Sequence, residues 1–282
     1  MKLDGIIIHD KDIVVRTIML SIEFLNIDLL KLLFCIPFIV YGCYSDIKTR
    51  SVPNKVWLFM LPGAVIFFLI DLSNNFLAHI TSTLLSTGTI FSIAYIFFRL
   101  GFLGGADVKA LTIISFILPL FPQFTLAEHT FPLLGLPVIP LFAVAVFYNA
   151  AILGAVIFPT LLIWNLLHHG VREFLYHPHY FFLGYRTNIQ NITHIHAKLL
   201  ENYIEEGDKI RPVFSKKGIE ITDEVQKTLL SLAKKGKIEN WIWVTPTIPY
   251  IIHITLGFLI AALIGDVLFW AVQQIITMNG MG

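Results

Sequence analysis

Long apolar stretches separated by short polar breaks run through most of the chain. They cover about Leu29 to Tyr44, Lys55 to Ile70, Phe76 to Phe98, Ala106 to Leu120, Val138 to Leu167 and Val244 to Trp270. The apolar runs lack the alternation of barrel strands and reach the roughly 18 residues that mark transmembrane helices. At a rise of about 1.5 Å per residue the third stretch extends about 34 Å, enough to cross a bilayer. The fifth is longer than a bilayer needs, so it tilts or protrudes, and Pro159 is placed to kink it. Pro246 and Pro249 sit where the sixth begins, and proline is accommodated in a first helical turn. The pattern predicts an all-α polytopic membrane protein with six transmembrane helices and a small cytoplasmic insert between helices five and six.

The polar segments set the divisions. Residues 1–27 form a mixed-charge amphipathic lead, with Asp4, Asp10, Lys11, Asp12 and Arg16, that makes a poor signal peptide. Residues 28–168 carry helices one to five, residues 169–243 the polar insert, and residues 244–282 helix six and an uncharged tail. Orientation follows from basic residues, which concentrate on the cytoplasmic side. If the loops after helices one, three and five are cytoplasmic, they hold 16 of the 20 Lys and Arg, eleven of them in the insert. Under that topology Asp46 ends helix one and Asp107 begins helix four, both at the cytoplasmic edge.

Composition agrees with this picture. With 56% hydrophobic and 14% charged residues, the chain is far too apolar for a soluble domain of its length. The net charge of +1 identifies no partner, and no nucleic-acid binding is expected. Cys35 and Cys43 form neither a CxxC nor a zinc pattern and read as packing residues.

The chemistry centres on Gly101-Phe-Leu-Gly-Gly-Ala-Asp107-Val-Lys109. An acid at membrane depth is costly and marks a functional site. Its partner is Asp46, in Ser45-Asp46-Ile-Lys48-Thr-Arg50-Ser-Val-Pro53-Asn54. Two carboxylates at the edge of a low-dielectric region tend to share one proton. That charge state suits an aspartic protease, in which one carboxylate takes a proton from water and the other polarises the scissile carbonyl. At helix ends the dipole favours Asp107 as the anion and Asp46 as the protonated acid. Gly104 and Gly105 give the backbone conformational freedom beside the acid. Taken alone, Asp107 is equally a helix cap.

Gly104-Gly105-Ala106-Asp107-Val-Lys109 resembles the GxGD motif of membrane aspartic proteases, and the Asp46 segment is similar to the first aspartate segment of type IV prepilin peptidases. Six spans, a late polar insert and Trp243-Val-Thr-Pro246-Thr-Ile-Pro249 resemble archaeal preflagellin peptidases. The resemblance implies removal of a short basic leader from archaellin or pilin precursors whose leader precedes an apolar helix. Asp46 and Asp107 match the catalytic pair. Ala106 departs from the pattern, where many relatives have a third glycine. The cysteine-rich methyltransferase segment of bacterial relatives is absent, so no N-methylation is inferred. The lipid bilayer is the other expected partner, and no cofactor or metal is expected.

Other polar residues have plainer readings. Lys48 and Lys109 set topology and lie where they could tune the aspartates. His168, His169, His177, His179, His194 and His196 read as a membrane-proximal loop rather than a zinc site. Asp266 and His253 read as polar residues of helix six, and Asn149 as an interhelical hydrogen-bonding residue. Glu201, Glu205, Glu206 and Asp208 form an acidic run, either a solvated face or an attractor for a basic leader. The sequon at Asn191 is cytoplasmic in this topology, so no glycan is expected there. A proton-coupled transporter using the paired acids is the alternative, although no inverted repeat with broken helices supports it.

Overall fold

The structure is a computed structural model that describes residues 26–126, 128–206 and 209–279. The amphipathic lead lies almost wholly outside the described residues. The helices are α1 (Ile27–Thr49), α2 (Asn54–Asn74), α3 (Phe76–Arg99), α4 (Gly105–Ile117), α5 (Phe142–Ala155), α6 (Ile157–Tyr176), α7 (Pro178–Leu183), α8 (Asp223–Lys234), α9 (Tyr250–Leu263) and α10 (Val267–Asn279). The strands are β1 (Phe124–Leu126), β2 (His129–Phe131), β3 (Tyr185–Asn188), β4 (Ala197–Glu206), β5 (Lys209–Glu220) and β6 (Trp241–Pro246). Two compact units result. One comprises the described residues up to Leu153 with those from Pro249 onward, and the other is Gly154–Ile248.

In the first unit α1 starts at Asn26, whose side chain accepts the Asp28 amide at 2.9 Å. It ends where Arg50 adopts a left-handed conformation (φ 53°) and its N–H returns to the Asp46 carbonyl at 3.0 Å. The following turn is tied by Ser45, whose hydroxyl donates to the Ser51 carbonyl at 2.8 Å. Pro53 then precedes α2, as its fixed φ and missing N–H favour.

The α4 helix is the centre of this bundle. It packs against α1, α2, α3 and α9, and Ala110, Leu111 and Ile114 on it are fully buried. A helix that is mostly apolar and enclosed by others needs no bilayer-spanning length. Its 13 residues amount to about 20 Å. At the other end of the bundle Lys31, only 4% exposed, pairs with Asp71 of α2 and lies 3.8 Å from Asp28. His79 of α3 approaches the same Asp71 carboxylate at 3.7 Å.

Four helical stretches among the described residues are long and apolar enough to cross a membrane, or five if α9 and α10, bent by 57°, count as one. Six were expected, and the shortfall lies at α4. The sixth stretch is broken at Ile264, Gly265 and Asp266, with Gly265 at φ 125°. Asn149 of α5 spans this break. Its amide donates to the Gly265 carbonyl at 2.9 Å, and its oxygen accepts the Val267 amide at 3.2 Å. Asp266 caps α10 by accepting the Phe269 amide at 2.9 Å. The fifth stretch is likewise two helices, and Gly170 (φ 79°) departs from helical geometry within the second.

The chain is mostly helical, as expected, but it is not all-α. Phe124 and Phe131 pair across a short hairpin in the loop after α4. In the second unit β3, β6, β4 and β5 form an antiparallel sheet in that order. The physical reason is legible in β6: Trp241-Ile-Trp-Val-Thr245 is aromatic and β-branched throughout, a composition that fits a pleated surface better than a helix. The placement of Pro246 in a first helical turn is therefore corrected. Pro246 ends a strand, and the helix begins at Tyr250 after Pro249. Leu229 of α8 packs with Leu199, Ile242 and Val244 on the sheet. Tyr180, Phe181, Leu200 and Trp243 make a second small core. The buried Asn165 amide donates to the carbonyls of Phe181 (3.0 Å) and Gly184 (2.7 Å).

Candidate active site

Asp107 occupies the third position of α4, where free backbone amides at the helix start call for an acceptor. Its Oδ2 accepts the Gly104 N–H at 2.7 Å, and the residue is 5% exposed. Gly104 itself is extended (φ −85°, ψ 162°), a conformation open to any residue. Its requirement is space, because a Cβ there would lie 3.3 Å from Asp107 Oδ2. Gly105 and Ala106 lie in the helix, and a Cβ on Gly105 meets nothing within 4 Å. The glycine that needs a left-handed conformation is Gly101, at φ 85°. The freedom assigned to Gly104 and Gly105 thus belongs three residues earlier, and the methyl of Ala106 packs as an ordinary helical side chain against the core.

Asp46 is half-buried in the last turn of α1. Three contacts tie its surroundings to α2, α4 and α9. Lys109 Nζ donates to Asn54 Oδ1 at 2.6 Å, joining α4 to the first residue of α2. A Cβ on Gly42, one turn before Asp46, would meet Ile251, Trp57 and Val52 at 3.8 to 3.9 Å. Cys43 Sγ lies 2.9 Å from Thr255 Oγ1 of α9. The end of α1 and the starts of α2, α4 and α9 therefore converge, and Asp46 and Asp107 fall within electrostatic reach of each other.

Both lysines have partners other than the aspartates. Lys48 lies over the Tyr44 ring, 5.7 Å from its centroid, and Lys109 is engaged by Asn54. The cation beside Asp46 is Arg50, whose Nε and one terminal nitrogen are buried without a hydrogen-bond partner among the described residues. A positive charge favours an anion, so Arg50 opposes the effect that the helix terminus alone has on Asp46. Sequence reasoning passed over Arg50 and over Tyr250, the half-buried first residue of α9, which packs against the bundle core. The available signals were an arginine four residues after an acid and a tyrosine directly after the Thr-Ile-Pro entry.

The remaining candidates lie elsewhere. Asn149 and Asp266 serve the break before α10. His168 stacks on Trp164 at 4.0 Å, and His179 packs edge-on to Phe214 at 4.5 Å. No group of three metal-ligating side chains occurs among the described residues.

Fold and site together define a polytopic membrane protein with two carboxylates from different helices near one end of the bundle. Residues 33–159 match the family described as Type IV leader peptidase family, and residues 176–267 match the family described as Archaeal Peptidase A24 C-terminus Type II. It is similar to the preflagellin peptidase of Methanococcus voltae, with 29% identity over 79% of this chain and 89% of that protein. The preflagellin peptidases of Methanococcus maripaludis and Methanocaldococcus jannaschii are 28% and 26% identical over 81% and 78% of this chain, covering 92% and 88% of those proteins. The chain is a peptidase of the membrane, and these relatives lend the transporter alternative no support.

Proposed function

We propose that the chain is a membrane aspartic endopeptidase that removes the short basic leader of archaellin or pilin-like precursors at the cytoplasmic face, with Asp46 and Asp107 as the catalytic pair. The observation that carries the reading is the burial of Asp107 at the start of α4, within electrostatic reach of Asp46. One carboxylate takes a proton from water as the water oxygen bonds to the scissile carbonyl carbon, while the protonated partner donates to the carbonyl oxygen. Collapse of the tetrahedral intermediate breaks the C–N bond, and the proton first taken from water passes to the leaving amine. Preflagellin is the substrate that the names of the relatives give.

The apolar groove of about 830 Å³ between α1 and α2, lined by Phe38, Tyr41, Val56 and Phe59, suits the apolar helix that follows such a leader. The short α4 then enters from the cytoplasmic edge, and the unit Gly154–Ile248 contains the cytoplasmic insert. Asp46→Asn and Asp107→Asn should each lower precursor cleavage in detergent by about 10³-fold or more. Their circular dichroism and elution should stay those of the parent. Retained cleavage in either variant refutes the proposal.

A further inference from the structure

The second unit contains a cavity of about 320 Å³, lined among others by Tyr180, Arg186, Glu201, Tyr203, Glu239 and Trp243. Glu201 projects from β4 and is held by a neutral donor. The Tyr203 hydroxyl donates to its Oε2 at 2.8 Å, and Tyr180 and Trp243 line the same cavity. Among the described residues Glu201 has no cation within 4 Å; Arg186 and His177 act on it only from farther off, and Arg186 is committed to Glu239 at 3.0 Å. A partly desolvated carboxylate normally has a cation beside it.

The walls supply the rest of a cation site. The faces of Tyr180, Tyr203 and Trp243 offer the negative side of their quadrupoles. Arg186 shows that a guanidinium fits this chemistry, with its central carbon 5.7 Å from the Trp243 centroid. With Arg186 and Glu239 paired, the remaining lining charges are Glu173 and Glu201 against Lys237 and His177. Glu201 belongs to the acidic run read from the sequence, yet it does not lie on a solvated face.

We propose that this cavity is a subsite for the cationic side chain of a basic peptide, a lysine or an arginine. Naming that peptide as a precursor's leader rests on the peptidase reading above.

The test uses the full chain in detergent carrying Asp46→Asn and Asp107→Asn, so that a leader-like peptide binds without being cut. Titration calorimetry compares a lysine-bearing peptide with the same peptide in which each lysine is norleucine. The lysine form should bind about tenfold or more tightly, as expected for a charge-assisted hydrogen bond. Adding Glu201→Gln, whose amide oxygen still accepts from Tyr203, should erase that preference. Equal affinity for the two peptides overturns the proposal without recourse to any further variant. So does a lysine preference that persists undiminished in a folded Glu201→Gln protein, or displacement of a bound peptide by inorganic phosphate at Arg186. Cleavage by the parent chain is scored separately. Lysine-selective binding without cleavage overturns the peptidase reading and leaves the subsite standing, whereas cleavage with one KM for both peptides overturns the subsite.

Discussion

Lys109 donates to Asn54 across 2.6 Å and thereby links the residue two places after Asp107 to the residue eight places after Asp46. A charge-assisted bond of this kind fixes the relative position of two chain segments that have no covalent reason to stay together. Lys109→Met and Asn54→Leu should therefore each reduce kcat by about tenfold to a hundredfold, with KM nearly unchanged. The pair of substitutions together should cost no more than one alone. A fully additive double variant in a precursor cleavage assay would show that the two residues act separately.

Gly104 and Gly105 look alike in the sequence and should respond oppositely to alanine. At Gly104 the new Cβ stands 3.3 Å from Asp107 Oδ2 and crowds the carboxylate away from the amide that holds it. Cleavage should fall by about tenfold to a hundredfold. At Gly105 the Cβ points into open space within a helix, so activity is retained and thermal stability rises slightly. Comparable loss in both variants would refute the distinction.

Lys31 and Asp71 make the bundle's most buried ion pair. Removing one partner leaves the other charge enclosed, so Lys31→Met alone should destabilise the protein by about 3–5 kcal/mol. The double variant Lys31→Met with Asp71→Leu should recover most of that loss. Denaturant unfolding in mixed micelles measures both, and a double variant less stable than the single one would contradict the argument.

Glu201 also gives the second unit a pH dependence. Burial raises its pKa above the ordinary carboxylate value, with the Tyr203 hydroxyl, the Trp243 amide and the charges of Arg186 and His177 pulling it partly back. A carboxyl whose folded pKa is raised contributes stability that is full below the unfolded value and lost as pH rises through the folded one. Protection of the β4 amides from hydrogen exchange, corrected for the intrinsic rate, should therefore decline across that window. The decline should flatten in Glu201→Gln. Binding of a cationic peptide needs the anion, so its affinity should climb over the same window, opposite in sign to stability.

The two candidate acids were legible because rare residue types carried the signal. An Asp after Gly-Gly-Ala and another at the polar boundary that ends the first apolar stretch stand out from an apolar background, and the charge bias of the loops was enough to expect them at one end. The sheet was less legible, because β4 and β5 lie among charged residues and β6, which pairs with β4, runs directly into the apolar residues of the last stretch, where Pro246 and Pro249 read equally well as a helix start. The shortness of α4 was hidden too. Apolar composition persists to Leu120, but α4 stops at Ile117 and the chain passes into a hairpin whose Phe124 and Phe131 rings stack at 5.1 Å. Ala106 resolves as an ordinary helical position, and Gly101 emerges as the residue on which the turn depends.

Asn149 gives the last apolar segment a fixed joint. Because one amide of α5 grips the chain on both sides of the bend, the angle of 57° between α9 and α10 cannot change without breaking a bond to a third helix. The end of the chain therefore behaves as a braced arm whose direction is set from inside the bundle, and any force that tilts α10 is delivered to α5.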